Sequence, residues 1–158
     1  MKAKLTILII SLSCAISGVS YYYIQKDKHA LPPSCVVRYT TEKSDVKINT
    51  FIHFTFNDKT NEGTATLDGE VFKQHTPETI LHRKMQFVYT SEDNHLYMNA
   101  KSATKLNDDN SNESLLFDNL PGFFLRENYS IIYSITRQGR TAYIFSEGAL
   151  PIFYCSDK

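Results

Sequence analysis

Three cysteines and five histidines are the residues with the widest chemical reach in this 158-residue chain, and their spacing narrows what they can do. Cys35 and Cys155 stand near the two ends of everything beyond residue 24, while Cys14 lies inside an uncharged run. A Cys35–Cys155 bridge would close nearly all of that later portion into one loop, worth about 4–5 kcal/mol in the chain-entropy treatment. Disulfides persist in the periplasm or outside the cell, so the pair assigns this portion to an oxidising compartment. Two free thiols buried in a cytosolic domain are the competing reading, because Cys is among the most buried residue types. The histidines at 29, 53, 75, 82 and 95 lack the close same-face spacing of a zinc or iron site. Asp108, Asn110 and Asn112 fall at the odd positions of a calcium loop, but Glu113 stands where that loop needs Gly and Asn119 where it needs Glu. Asp68 and Glu70 share a strand face as hydrolase carboxylates do, yet Leu67 and Val71 take the other face, so the pair reads as solvent-facing. There is no Gly-x-Ser-x-Gly and no glycine-rich phosphate loop, and bridging consumes the two thiols outside the uncharged run. The expectation is a protein without catalytic residues, metal or cofactor. Asn112-Glu113-Ser114 and Asn128-Tyr129-Ser130 match a glycosylation sequon that matters only in a eukaryotic secretory pathway, and both are read as chance.

The elements that hold these residues begin with Leu5–Ile24, twenty residues without a charge. At about 1.5 Å per residue such a helix just spans a hydrocarbon core of about 30 Å. Lys2 and Lys4 precede it, and Tyr21, Tyr22 and Tyr23 close it where aromatic rings favour the headgroup layer. The segment reads as an uncleaved signal-anchor. Ala15-Ile16-Ser17 also offers a small-residue cleavage site. Acylation at Cys14 is a further alternative, against which Ser11 stands where lipoprotein signals carry Leu. Lys26 and Lys28 follow the segment as Lys2 and Lys4 precede it, so flanking charge leaves orientation open and the cysteines decide it. The resulting division is a cytoplasmic tail at 1–4, a transmembrane helix at 5–24, a linker at 25–34 stiffened by Pro32-Pro33, and a periplasmic domain at 35–158. Seventeen basic side chains balance seventeen acidic ones, which leaves no electrostatic footprint for direct nucleic-acid binding.

Beyond the linker the period is two. Cys35–Glu42 is rich in Val, Tyr and Thr; in Val46–Phe56, Ile48, Ile52, Phe54 and Phe56 alternate with polar residues, and only Phe51 breaks the pattern. Gly63–Phe72 puts Gly63, Ala65, Leu67, Gly69 and Val71 on one face, small residues that suit a tightly curved sheet. Leu81, Met85, Phe87 and Tyr89 mark a fourth strand to about Thr90, and His95–Ala100 a short fifth. Residues 107–113 read as a solvated loop, and Leu115, Leu116, Leu120, Phe123 and Phe124, broken by Pro121-Gly122, as a short helix or lid. Tyr129–Arg137 and Arg140–Ser146 form a hairpin across Gln138-Gly139, and Pro151–Cys155 returns to Cys35. The fold class expected is mainly β: after the single N-terminal helix, one antiparallel, lipocalin-like barrel of seven or eight strands, complete or incomplete, with the disulfide as its clasp.

Seven aromatic residues, Phe54, Phe56, Phe87, Tyr89, Tyr133, Tyr143 and Phe145, occupy strand positions that can line such a barrel. They either surround one small apolar ligand or fill the core outright. Unpaired edges of an incomplete barrel would instead invite a partner's strand.

The layout resembles the FidL-like family of enterobacterial inner-membrane proteins, and more distantly the ToxS and VtrC type of companion proteins. The resemblance runs through the Lys-flanked anchor with its trailing Tyr-Tyr-Tyr, the early Cys35, the Gly63-Thr-Ala-Thr-Leu-Asp-Gly strand and the closing Pro151-Ile-Phe-Tyr-Cys155. It implies a bitopic protein whose periplasmic barrel-like domain pairs with that of a membrane-bound, ToxR-like transcriptional regulator; in the VtrC branch such a pair forms a bile-salt-binding barrel. No ligand residue carries over by position. The function expected is therefore an accessory protein that stabilises or modulates the regulator from the periplasmic side of the inner membrane. A stand-alone lipocalin-like binder of a small apolar ligand is the alternative, and a hydrolase would need a cleft with convergent polar groups.

Overall fold

The computed structural model describes residues 13–22, 31–32, 34–139 and 141–156. The chain divides into two compact units, residues 1–31 and Pro32–Lys158. In the first, residues 13–22 form helix α1, with Ile16, Val19, Tyr21 and Tyr22 exposed. Among the described residues no helix is long and apolar enough to cross a membrane. The remainder of the expected anchor, at 5–12 and 23–24, lies outside them, as do the tail at 1–4 and, of the expected linker, residues 25–30 and 33.

The second unit is a closed antiparallel barrel in which eight strands follow one another in chain order. They are β1 (Ser34–Lys43), β2 (Val46–Asn57), β3 (Glu62–Lys73), β4 (Thr76–Glu92), β5 (His95–Lys105), β6 (Ser130–Gln138), β7 (Ala142–Glu147) and β8 (Leu150–Ser156). Alternation determines what each strand buries. In β2, Ile48, Ile52, Phe54 and Phe56 point inward, and Phe51 points out, where the Arg38 guanidinium from its paired position on β1 lies 5.7 Å from the ring centre. The fifth strand runs five residues further than the sequence suggests, to Lys105, because β4 is longer as well and pairs with it as far as Arg83.

Two glycines make the curvature possible. Gly63 sits opposite Phe87, whose ring occupies the place of a side chain at Gly63: a Cβ there would lie 2.4 Å from it. At Gly69, opposite Thr50, a Cβ would meet the Asn49 carbonyl oxygen at 2.1 Å and Thr50 Cα at 2.6 Å, and a backbone cannot swing aside as a side chain can. Gly69→Ala is therefore expected to cost about 1–3 kcal/mol, measured as a lowered urea midpoint at unchanged slope.

Topology sets two distinct ends. The start of β1 and the end of β8 lie together with the β2–β3, β4–β5 and β6–β7 turns. The β1–β2, β3–β4 and β7–β8 turns lie at the opposite end with the long β5–β6 connection. That connection contains helix α2 (Glu113–Phe117), capped by the Asn112 side chain, which accepts from the Ser114 amide, and a 3-10 helix at Gly122–Phe124.

Candidate functional site

Three features of the barrel could recognise something else: its filled interior, a buried polar latch at one mouth, and the seam between first and last strands.

The interior is aromatic. Phe54 stands at its centre, with ring centroids at 5.9 Å to Phe56, 6.0 Å to Phe145, 6.2 Å to Phe124, 6.4 Å to Phe153 and 6.5 Å to Phe87. Tyr133 packs on Phe153 at 5.3 Å and on Phe145 at 6.0 Å. All seven residues singled out from the sequence are buried in this interior: Phe54, Phe56, Phe87, Tyr89, Tyr133, Tyr143 and Phe145. The structure adds Phe153 of β8, together with Phe123 and Phe124 of the connection, which reach Phe87 and Phe54. The apolar run at 115–124 is thus a plug, with Leu116, Leu120, Phe123, Phe124 and Leu125 buried. Tyr129 holds it by lying across Gly122, where an added Cβ would come within 2.6 Å of the ring. Backbone bonds Asn128 N–H to Ala100 O (2.8 Å) and Ala100 N–H to Tyr129 O (2.9 Å) return the chain to β5.

Residues 107–113 form a largely solvent-exposed loop, as the sequence suggests, but Asp109 and Ser111 turn inward from it as a latch. Arg83, inward-facing on β4, is 2 % exposed; its Nε donates to Asp109 Oδ2 at 3.0 Å and its Nη2 to Ser111 Oγ at 3.1 Å. The Asp109 side chain has no exposure, and it also accepts from the Ser111 hydroxyl, the Ser111 amide (2.9 Å) and the His82 amide (3.2 Å). Burial pushes the Asp109 carboxyl up, but the Ser111 hydroxyl and amide, the Arg83 charge and the His82 amide together hold it below the usual carboxylate range. On the rim His82 Nδ1 meets Asp108 at 2.6 Å, and Lys105 donates to the Ser111 carbonyl at 3.1 Å. Two polar side chains of an otherwise exposed loop, Asp109 and Ser111, are buried here because a cation stands in the barrel wall to receive them. The signal was available: Leu81, Arg83, Met85 and Phe87 lie in one alternating series.

The seam is where the ring closes. β1 and β2 are paired over ten residues. Among the described residues the β1–β8 ladder comprises only Val36↔Ser156 and Val37↔Cys155. The disulfide joins Cys35 to Cys155 at this short ladder, with Cα atoms 5.5 Å apart and both cysteines buried. Beyond Val37 the edges Arg38–Lys43 and Leu150–Tyr154 have no ladder partner across the seam among the described residues. Beneath it the Tyr39 and Phe153 rings meet edge-on at 5.4 Å. Inward again lies the Tyr133 hydroxyl, buried and without a hydrogen-bond partner. Burial first, and then the negative charge of Glu147 and the neighbouring Tyr39, push its pKa far above the ordinary phenol value. Tyr89 differs, since its hydroxyl donates to Asp58 Oδ1 at 2.8 Å.

Asp68 and Glu70 are exposed on the outer face, in an open groove shared with Arg38, Lys47, Phe51 and Ile80. Among the described residues no three His, Cys, Asp or Glu side chains cluster as a metal site would need.

Residues 32–155 match the family model described as the YqeJ C-terminal domain. The chain is also similar to the uncharacterized protein YqeJ of Escherichia coli (strain K12), with 22% identity over 156 residues covering 98% of this chain and 97% of that protein.

Proposed function

This chain belongs to the YqeJ C-terminal domain family, and for it we propose an accessory role at the bacterial inner membrane. The segment Leu5–Ile24 anchors the protein, and the barrel, in the periplasm, binds and stabilises or modulates a membrane-bound, ToxR-like transcriptional regulator. No catalytic step and no direct contact with DNA belong to this reading. The observation that carries it is the seam. Two pairs of a ladder, clasped by a disulfide, leave Arg38–Lys43 and Leu150–Tyr154 without a ladder partner across the seam among the described residues, and edges of this kind can take up an extended segment of another polypeptide. The resemblance to FidL-like and ToxS-type companions supplies the kind of partner.

Site-directed photo-crosslinking in intact cells tests it. Benzoylphenylalanine at Glu42 or at Tyr154, on the two seam edges, should give adducts with the periplasmic segment of a protein that also has a membrane helix and a DNA-binding domain. The same probe at Asp68, on the outer face, should give none. Adducts from Asp68 alone, or from no position, would defeat the proposal.

The second reading, a lipocalin-like binder of a small apolar ligand, draws on the aromatic interior of a closed eight-stranded barrel. It requires the Phe123–Phe124 plug to yield its place. Adducts that carry the mass of a lipid instead of a peptide would favour it.

A further inference from the structure

We infer that the Tyr133 hydroxyl is the hydrogen-bond donor by which the open half of the β1–β8 seam selects an uncharged acceptor, an amide carbonyl, on the partner polypeptide. This rests on the accessory reading above. Tyr133 is 1 % exposed and its hydroxyl has no partner, an arrangement that costs the free barrel stability because the group has lost water and gained nothing. Phenylalanine would fill the same space without that cost. The hydroxyl is also well placed. Phe153 of β8 touches both Tyr133, at 5.3 Å, and Tyr39 of β1, at 5.4 Å, so a single ring links Tyr133 to the first strand at the seam. A side chain inserted between the two edges beyond Val37 that parts the Tyr39–Phe153 contact would approach it.

The acceptor's charge follows from the surroundings. Burial above all keeps the Tyr133 hydroxyl protonated, and the carboxylate of Glu147, at the end of β7, adds a negative field that disfavours an incoming carboxylate. A carbonyl on an amide has no such penalty. Polypeptide is favoured over a small acid because both seam edges offer backbone groups at strand spacing, which only another backbone can match along its length.

The test combines Tyr133→Phe with benzoylphenylalanine at Tyr154 in the full chain, in membranes, at matched expression. The variant barrel is expected to melt at the wild-type temperature or up to about 5 °C above it. The yield of peptide adduct is expected to fall about tenfold. A lower melting temperature would mean that the hydroxyl is already satisfied in the free protein, and an undiminished peptide adduct would mean that it plays no part in recognition; either overturns the inference while leaving the accessory reading in place. Loss of adducts from the otherwise wild-type chain removes the accessory reading itself, and the inference with it. Adducts of lipid mass would replace the polypeptide by a small ligand and overturn both.

Discussion

Replacing Arg83 by methionine is expected to destabilise the barrel by about 3–5 kcal/mol near neutral pH, although methionine suits an inward strand position by size and polarity. The loss comes from what remains behind. The Asp109 side chain is buried, and its carboxyl stays ionised because Ser111, Arg83 and the His82 amide receive its charge; removing the guanidinium leaves that carboxylate in the barrel wall without its counter-charge. Arg83→Met combined with Asp109→Asn should lose less than the sum of the two single changes, with a coupling energy of about 1–3 kcal/mol, because asparagine carries no charge to strand and its single amide oxygen still accepts from the Ser111 amide. The pH dependence gives an independent check. In the wild type Asp109 is held below the usual carboxylate pKa of about 4, so its contribution is present in full above that pH and is lost as pH falls towards the lower folded value. In Arg83→Met the unpaired carboxyl is displaced upward and gains stability by taking a proton. The gap between the two proteins in denaturant midpoint should therefore narrow as pH is lowered from neutrality. A gap that stays constant with pH would assign the loss to packing and not to the buried charge.

The strands of this fold are legible because a half-buried sheet is written with a period of two, and β2, β3 and β4 bury the face that the alternation marks. Phe51 could not be placed by pattern alone: its outward position makes sense only beside Arg38, which reaches it through the β1–β2 register. Turn chemistry was partly hidden. Asp93-Asn94 has positive φ at both residues, as its sequence suggests, whereas Gln74-His75 adopts the same left-handed pair at 48° and 67° without Gly, Asn or Asp. The inward turn of Asp109 and Ser111 was not legible within the loop itself, since every residue from Asn107 to Glu113 is polar and the partner that draws Asp109 inward lies 26 positions earlier. Nor could the shortness of the β1–β8 ladder be read. That register depends on the sum of seven preceding ladders, three of which shift, at Val71/Phe72, Gln86/Phe87 and Phe145/Ser146. The plug was visible as an apolar cluster but its destination was not, because nothing local distinguishes a lid lying over a barrel from one inserted into it. The site accordingly divides in two. Its aromatic lining follows from alternation within single strands, while the latch, the plug and the seam are products of contacts far apart in sequence.

The largest effect is expected at the clasp. Cys35→Ser and Cys155→Ser should each lower stability by about 4–5 kcal/mol, the entropy released by opening a loop of 120 residues, and the double variant should be no worse than either single one. The equality follows from the covalent bond, which is lost completely whichever partner is removed. The location makes the consequence specific. Elsewhere in the barrel a strand is retained by a ladder of five or more pairs, but β1 and β8 meet at Val36↔Ser156 and Val37↔Cys155, so without the bridge the seam is the first place to part. Hydrogen exchange resolved by residue should show the loss of protection concentrated at Val36, Val37 and the end of β8, with the β2–β3 and β3–β4 ladders affected only as global stability falls. Urea titration of the three variants under identical non-reducing conditions measures the additivity. If the two single losses sum in the double variant, each sulfur contributes through its own packing and the bond itself contributes little; if exchange rises evenly around the barrel, the seam is not its weak line.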